Sequence, residues 1–271
     1  MVLNGFGGPD RVAAGLIARR RHRPKVIFTD CTWKPGSHGL DRLATRAAFR
    51  AIDGPHVRFC VLSDDERQRF PTTWGVSPDR VLVCHWNHGL EQHELSQPVS
   101  DDGPIFAGGR SLRDYRALVA AAATMPFEVR IAADPSGLSG IDTLSPNVTV
   151  ELIPEAQYLD LMRRASVVVV PLEDRSDRSA GQMTYLAAMA LGKTVIVTDT
   201  LGVRDYIEPD RTGLIVPPND PRALQDALLW SQDPVNRQAV WVQGRARATV
   251  REKFSPDRYV SNLLAIVDAG S

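Results

Sequence analysis

Apolar residues recur along this chain in two alternating rhythms. Short β-branched runs alternate with longer stretches whose apolar positions fall three or four apart. Lys25–Thr29 (KVIFT), Val57–Leu62 (VRFCVL) and Arg80–Cys84 (RVLVC) predict strands. Gly39–Ile52 sets Leu40, Leu43, Ala47, Ala48 and Ile52 at helical spacing, and Pro9–Arg20 reads as an earlier helix. Ser63 ahead of Asp64, Asp65 and Glu66 predicts a capped helix start, where acidic side chains suit the helix dipole. Gln97–Pro104 (QPVSDDGP) breaks the rhythm with polar residues and helix breakers, and predicts a linker.

Beyond the linker the alternation is cleaner. Strands are predicted at 104–107, 128–132, 148–153, 166–171, 194–198 and 213–216, with helices at 112–124, 155–165, 182–191, 221–230, 236–253 and 256–267. Ser166–Pro171 (SVVVVP) lacks polar alternation, as a strand buried on both faces does. Repeated β-α-β units imply an α/β fold with parallel sheets. The expected organisation is a short α/β domain over 1–99, a larger one over 100–255, and a terminal helix over 256–271 that crosses back to the first.

Composition narrows the function classes. The 271 residues are 43% hydrophobic and 24% charged, a globular balance. Basic and acidic residues number 32 each, which argues against a nucleic-acid partner. No apolar run approaches the ~20 residues that span a bilayer. The opening MVLNGFGGPDRV has no charged-then-apolar leader pattern, and three cysteines build no disulfide framework, so a cytoplasmic setting is expected. The first 60 residues carry eleven basic and four acidic side chains. Arg19, Arg20, Arg21, Arg23 and Lys25 read either as a solvated helix end or as a contact with anionic lipid at the inner membrane face.

Two constellations carry candidate chemistry. In Phe106–Arg113 (FAGGRSLR) a strand ends in Gly108 and Gly109, and Arg110 and Arg113 follow at a spacing that suits a diphosphate clamp. In Pro171–Thr184 a buried strand runs through Glu173 into Ser179 and Gly181 before a helix opening Gln182-Met183-Thr184. The free N–H groups of that helix start suit an anion. Cys84, His85, His88 and His93 have spacings that zinc accepts, weighed against an ordinary His88-Gly89 turn. Asp30 and His38 lie in or near the end of a first-domain strand. A dinucleotide-dependent oxidoreductase is a further reading of Gly5-Phe6-Gly7-Gly8 with Asp30 as the ribose acid; against it, Val2-Leu3 is a poor strand and Asp10 stands in place of the third glycine.

Asp199–Asp220 (DTLGVRDYIEPDRTGLIVPPND), Ala188–Ile196 (AMALGKTVI), Pro217–Leu228 (PPNDPRALQDAL) and Lys253–Val267 (KFSPDRYVSNLLAIV) together carry a resemblance. Over roughly 57–267 the chain is similar to retaining GT-B glycosyltransferases of family four. The resemblance implies two Rossmann-type domains, the first abbreviated here. It implies transfer of a sugar from a nucleotide-diphosphate donor with retention, without metal or separate cofactor. Arg110 then matches the diphosphate arginine, Arg113 stands where a lysine is usual, Gln182-Met183-Thr184 match the phosphate-holding amides, and Ile153 matches a position near the base. Glu173, Ser179, Gly181, Gly108 and Gly109 complete the expected donor site, while Asp30, His38 and His88 become acceptor-side candidates. The acceptor, whether glycan, lipid-linked or natural-product, is left open. Two glutamates usual in that family are replaced by Ser179 and Ala187, and Ala187 cannot bond a ribose hydroxyl. This and the short first domain keep a non-catalytic partner subunit as the alternative. They also raise a partner chain or homodimer that completes the first domain.

Overall fold

The computed structural model describes residues 2–4, 15, 17, 24–31, 33, 39–134, 143–174, 178–237 and 240–268. In chain order the elements are β1 (Val2–Asn4), β2 (Val26–Thr29), α1 (Gly39–Ile52), β3 (Val57–Val61), α2 (Asp64–Trp74), β4 (Val81–Val83), α3 (Gln92–Leu95), β5 (Gly103–Gly108), α4 (Tyr115–Ala122), β6 (Val129–Ala132) and β7 (Val148–Glu151). There follow α5 (Glu155–Arg164), β8 (Ala165–Val170), α6 (Gln182–Ala190), β9 (Val195–Thr198), β10 (Leu214–Val216), α7 (Pro221–Gln232), α8 (Pro234–Arg237), α9 (Val240–Lys253) and α10 (Pro256–Asp268). The helix expected over Pro9–Arg20, the Gly5–Gly8 turn and His38 lie outside the described residues, apart from Gly15 and Ile17.

The chain forms two compact units. One comprises Met1–Trp86, Ser176–Ser179 and Tyr259–Ser271; the other comprises Asn87–Arg175 and Ala180–Arg258. The first unit holds a four-stranded sheet in the order β1-β2-β3-β4, every neighbour parallel. Val2–Asn4, a poor strand by composition, pairs with β2 in the register Val2 to Ile27. One face of this sheet is covered by an aromatic cluster of Phe28, Trp33, Phe49, Phe59, Phe70 and Trp74. Trp33 sits 4.7 Å from Phe49 and 5.9 Å from Trp74 between ring centroids. Six interlocking rings bury a large apolar area in a small unit, which offsets its short sheet. Against Ile27, Cys60 and Cys84 pack Tyr259, Leu263, Ile266 and Val267 of α10.

The second unit holds a six-stranded parallel sheet in the order β10-β9-β8-β5-β6-β7. Counted from β5, that is the doubly wound order 6-5-4-1-2-3 of dinucleotide-binding folds. The six residues of β8 are all fully buried, because helices cover both faces. Ile105, Val129, Ile131, Val167, Val169 and Ile196 form the core on one face with Leu118, Leu224 and Leu228 from the helices. β5 and β8 are the adjacent parallel strands at which the strand order reverses. The sequence placed both candidate donor motifs at these two strand ends.

Candidate functional site

The loop after β5 and the loop after β8 are tied to one another. Arg113 and Leu172 form an antiparallel bridge, the Asp114 amide donates to Pro171 O at 3.1 Å, and the Glu173 amide donates to Leu112 O at 3.0 Å. Leu172 is in turn held by Thr198 Oγ1 at 3.0 Å. α4 begins only at Tyr115, because Asp114 caps it by accepting from the Ala117 amide at 3.0 Å. Leu112 ahead of the cap has φ 54, a left-handed backbone that bulky residues seldom adopt. Arg113 therefore lies in the stitched turn with Arg110, rather than in the helix that sequence periodicity began at residue 112.

Arg113 is the central cation. Its Nε donates to Gly108 O at 3.0 Å, Nη1 to Ser111 O at 2.7 Å and Nη2 to Thr184 Oγ1 on α6 at 3.1 Å. All three acceptors are neutral, and no described carboxylate pairs with it. Burial pushes the guanidinium below its ordinary pKa, with nearby tyrosines opposing the shift. A partly desolvated cation held only by neutral groups is electrostatically short of one anion. Thr184 is also hydrogen-bonded to the Tyr158 hydroxyl, and Tyr158 packs edge-on to Phe106 at 5.1 Å.

The two glycines have a definite steric reason. A Cβ on Gly108 would lie 2.5 Å from ring atoms of Tyr158, and one on Gly109 (φ 120) would collide with the Arg113 guanidinium. The sequence reading reserved that space for an approaching ligand; the structure fills it with the side chains that build the site. Tyr115 fastens the same turn, donating to Gly109 O at 2.7 Å. Arg110 is exposed and makes no ion pair with a described residue.

α6 starts at Gln182 behind Gly181, which has φ 91, and no side chain caps this end. A Cβ at Gly181 would press to 3.0 Å from Val170. Gln182 and Thr184 are buried and Met183 is exposed, so the helix start presents backbone beside the Arg113–Thr184 contact. A positive dipole end and a guanidinium share one locus. Ile153 is half-buried after β7 and Glu173 is exposed. Ala187 is buried and apolar.

Ser179 and His88 each have protein partners within their own unit. Ser179 is buried in the first unit, where its amide and hydroxyl both donate to Glu66 Oε1, at 2.7 and 2.9 Å. No sequence signal joined Glu66 to Ser179, 113 residues away. His88 belongs to the second unit as a turn residue. Its amide donates to Phe254 O at 3.0 Å and its Nδ1 accepts from the Leu90 amide at 3.1 Å. Burial, then Arg251, lowers its pKa, so it is neutral at physiological pH. Asp30 is buried at the end of β2 in the first unit. Among the described residues no group of three or more His, Cys, Asp and Glu is arranged to hold a metal, and no helix is long and apolar enough to cross a membrane.

Comparison with known proteins places this geometry. Residues 112–232 match the model of a family described as glycosyl transferases group 1. Among solved structures, a glycosyltransferase from Rickettsia africae aligns at 16% identity over 100% of this chain and 84% of its own, with TM-score 0.71. Sucrose-phosphate synthase from Thermosynechococcus elongatus aligns at 20% identity over 100% and 74%, with TM-score 0.75. HepE of Anabaena, solved with UDP and glucose, aligns at 12% identity over 99% and 78%, with TM-score 0.75. No curated protein matches the chain in sequence. The fold is that of the GT-B glycosyltransferases, with two parallel sheets as expected.

Proposed function

We propose that this GT-B chain, whose residues 112–232 form a group 1 glycosyl transferase domain, moves a sugar from a nucleotide-diphosphate donor to a hydroxyl acceptor with retention. The observation that carries the reading is Arg113: a partly desolvated cation without a carboxylate, beside an uncapped helix start, at the switch point of a doubly wound sheet. A diphosphate supplies the missing negative charge. The same groups stabilise it more strongly as it departs, because charge then builds on its oxygens. Arg110, exposed at the same turn, adds a second positive group. The acceptor proton passes to the leaving phosphate, so the side chains need supply only charge and position. Side-chain cations serve the role a metal would have, and turnover is expected to survive EDTA. The complex of HepE with UDP and glucose supports a nucleotide-sugar donor.

The test is a thermal-shift panel of UDP-, GDP- and dTDP-sugars, followed by turnover with the best binder. A rise in melting temperature with one nucleotide is expected. Arg110→Ala is expected to cut turnover far more than it alters the melting temperature. Wild-type turnover in that variant removes Arg110 from the site. The buried, apolar Ala187 favours one second reading, a non-catalytic GT-B partner subunit. That reading predicts no thermal shift with any nucleotide sugar.

A further inference from the structure

The carboxyl end of the first unit's sheet carries a polar cluster of its own. β2 ends at Thr29, and Asp30 follows in a left-handed backbone with φ 52. Asp30 is only 6% exposed, and its Oδ1 has no hydrogen-bond partner. β3 ends at Val61, and Glu66 lies in the first turn of α2, capped by Ser63. Glu66 is equally buried but fully used. Its Oε2 accepts from the Leu62 amide at 2.8 Å, and its Oε1 accepts from both the amide and the hydroxyl of Ser179. One carboxyl group is thus a fixed wall and the other has a buried acceptor oxygen without a donor.

The remaining groups around Asp30 restrict what it can take. Cys31, Cys60 and Cys84 and the phenol of Tyr259 from α10 all feel its charge, and burial pushes each of them up, so they are protonated. Among the described residues no three of His, Cys, Asp and Glu are grouped to hold a metal. Arg178 next to Ser179 is half-buried, with Nε lacking a partner. An acidic ligand would bring a further negative charge to Asp30 and Glu66. A buried acceptor oxygen without a donor is costly, and one ligand hydroxyl repairs it. Backbone held in a sparsely populated region commonly marks a site rather than a scaffold position.

We infer that Asp30 is the receptor for a ligand hydroxyl, with Glu66 and Ser179 as its fixed surround, and that the ligand is an uncharged polyol or glycoside rather than an acidic sugar or a cation. The identification of that polyol as the acceptor rests on the glycosyl-transfer reading; the binding itself does not. Burial first, and then Glu66, raise the Asp30 carboxyl from 3.8 to about 7. Discrimination against acidic ligands therefore grows as pH rises through that value.

Saturation-transfer NMR on the full chain tests this with methyl α-glucoside, methyl α-mannoside and myo-inositol, methyl α-glucuronoside as the acidic probe, and Mn²⁺ as the cation. UDP affinity is measured in the same samples. At least one neutral probe is expected to bind, and the glucuronoside at least ten-fold more weakly at pH 8, with the gap narrowing at pH 6. Asp30→Ala should abolish neutral-probe binding with UDP affinity unchanged. The isosteric Asp30→Asn should bind neutral and acidic probes alike, which keeps the test valid if the alanine variant folds poorly. Failure of every neutral probe overturns the inference. So do equal affinities for glucoside and glucuronoside at pH 8, or tighter binding of Mn²⁺ in competition with the neutral probe. Loss of UDP binding with polyol binding intact overturns the nucleotide-sugar reading and leaves this one standing.

Discussion

Beyond β2 and β3 the first unit buries two carboxyl groups, Asp30 and Glu66; beyond β5 and β8 the second unit sets a guanidinium, Arg113, beside a helix start. Both places are carboxyl ends of parallel sheets, where doubly wound folds bind ligands. Their chemistry is opposite in sign. The first has an acceptor without a donor and suits a hydroxyl. The second has a cation without an anion and suits a phosphate. Shared topology thus says where ligands go, and the unsatisfied group says which ligand.

A third buried ion shows that burial alone is not the signal. Lys193 is fully buried, yet its Nζ donates to Asp101 Oδ1 at 2.6 Å, Ser100 O at 2.5 Å and Arg163 O at 3.3 Å. It anchors the segment that leads into β5.

Four measurements test this contrast. The largest effect is expected for Asp30→Asn. In the folded state the Asp30 carboxyl holds its proton up to about pH 7, against 3.8 for the free group. Stability from that group is therefore full below pH 4, falls between pH 4 and 7, and is flat above. The shift corresponds to up to about 4 kcal/mol. Urea midpoints should show the Asn variant more stable than the parent at pH 8 and nearly equal to it at pH 4; equal midpoints at both would mean that Asp30 is not poised for a ligand at the cost of stability. Next comes Lys193→Met, expected to lose about 3 kcal/mol in urea denaturation while UDP affinity stays unchanged. Arg113→Ala should do the reverse. It should cost about 2 kcal/mol of UDP affinity by calorimetry, roughly 30-fold, with less than about 1 kcal/mol of stability. A destabilised Arg113→Ala protein with intact UDP affinity would erase the distinction. The smallest effect is expected for Tyr158→Phe. Removing the hydroxyl that holds Thr184 should weaken UDP by about 1 kcal/mol, roughly five-fold, through the Arg113–Thr184 contact.

Much of this architecture was legible beforehand, for identifiable reasons. SVVVV announces a strand buried on two faces, and the structure buries all of β8. Ser63 announces a cap, and its side chain accepts from the Glu66 amide. Such features depend on neighbours within a few residues. What periodicity could not show depends on distant partners. Glu66 reads as one more acid in a first turn until Ser179 closes on it. Nothing near Lys193 in sequence points to Asp101, 92 residues away. Gly108 and Gly109 were legible as points of close approach, but the approaching atoms, Tyr158 and Arg113, were not. The His88-Gly89 turn is legible in sequence, but the bond its ring nitrogen accepts from the Leu90 amide is not.

The strand order of the second unit also bears on how it folds. β5 pairs with β6 soon after in the chain, but its other neighbour, β8, begins only at Ala165. Until that later segment is available, β5 has one bare edge and the Arg113–Leu172 bridge cannot close. Long-range strand pairing slows folding, because a large loop must close before any contact compensates for it. The Arg113 turn is therefore expected to assemble late, after the β5–β6–β7 portion. A nucleotide added during refolding should leave early kinetic phases untouched and act on the last one.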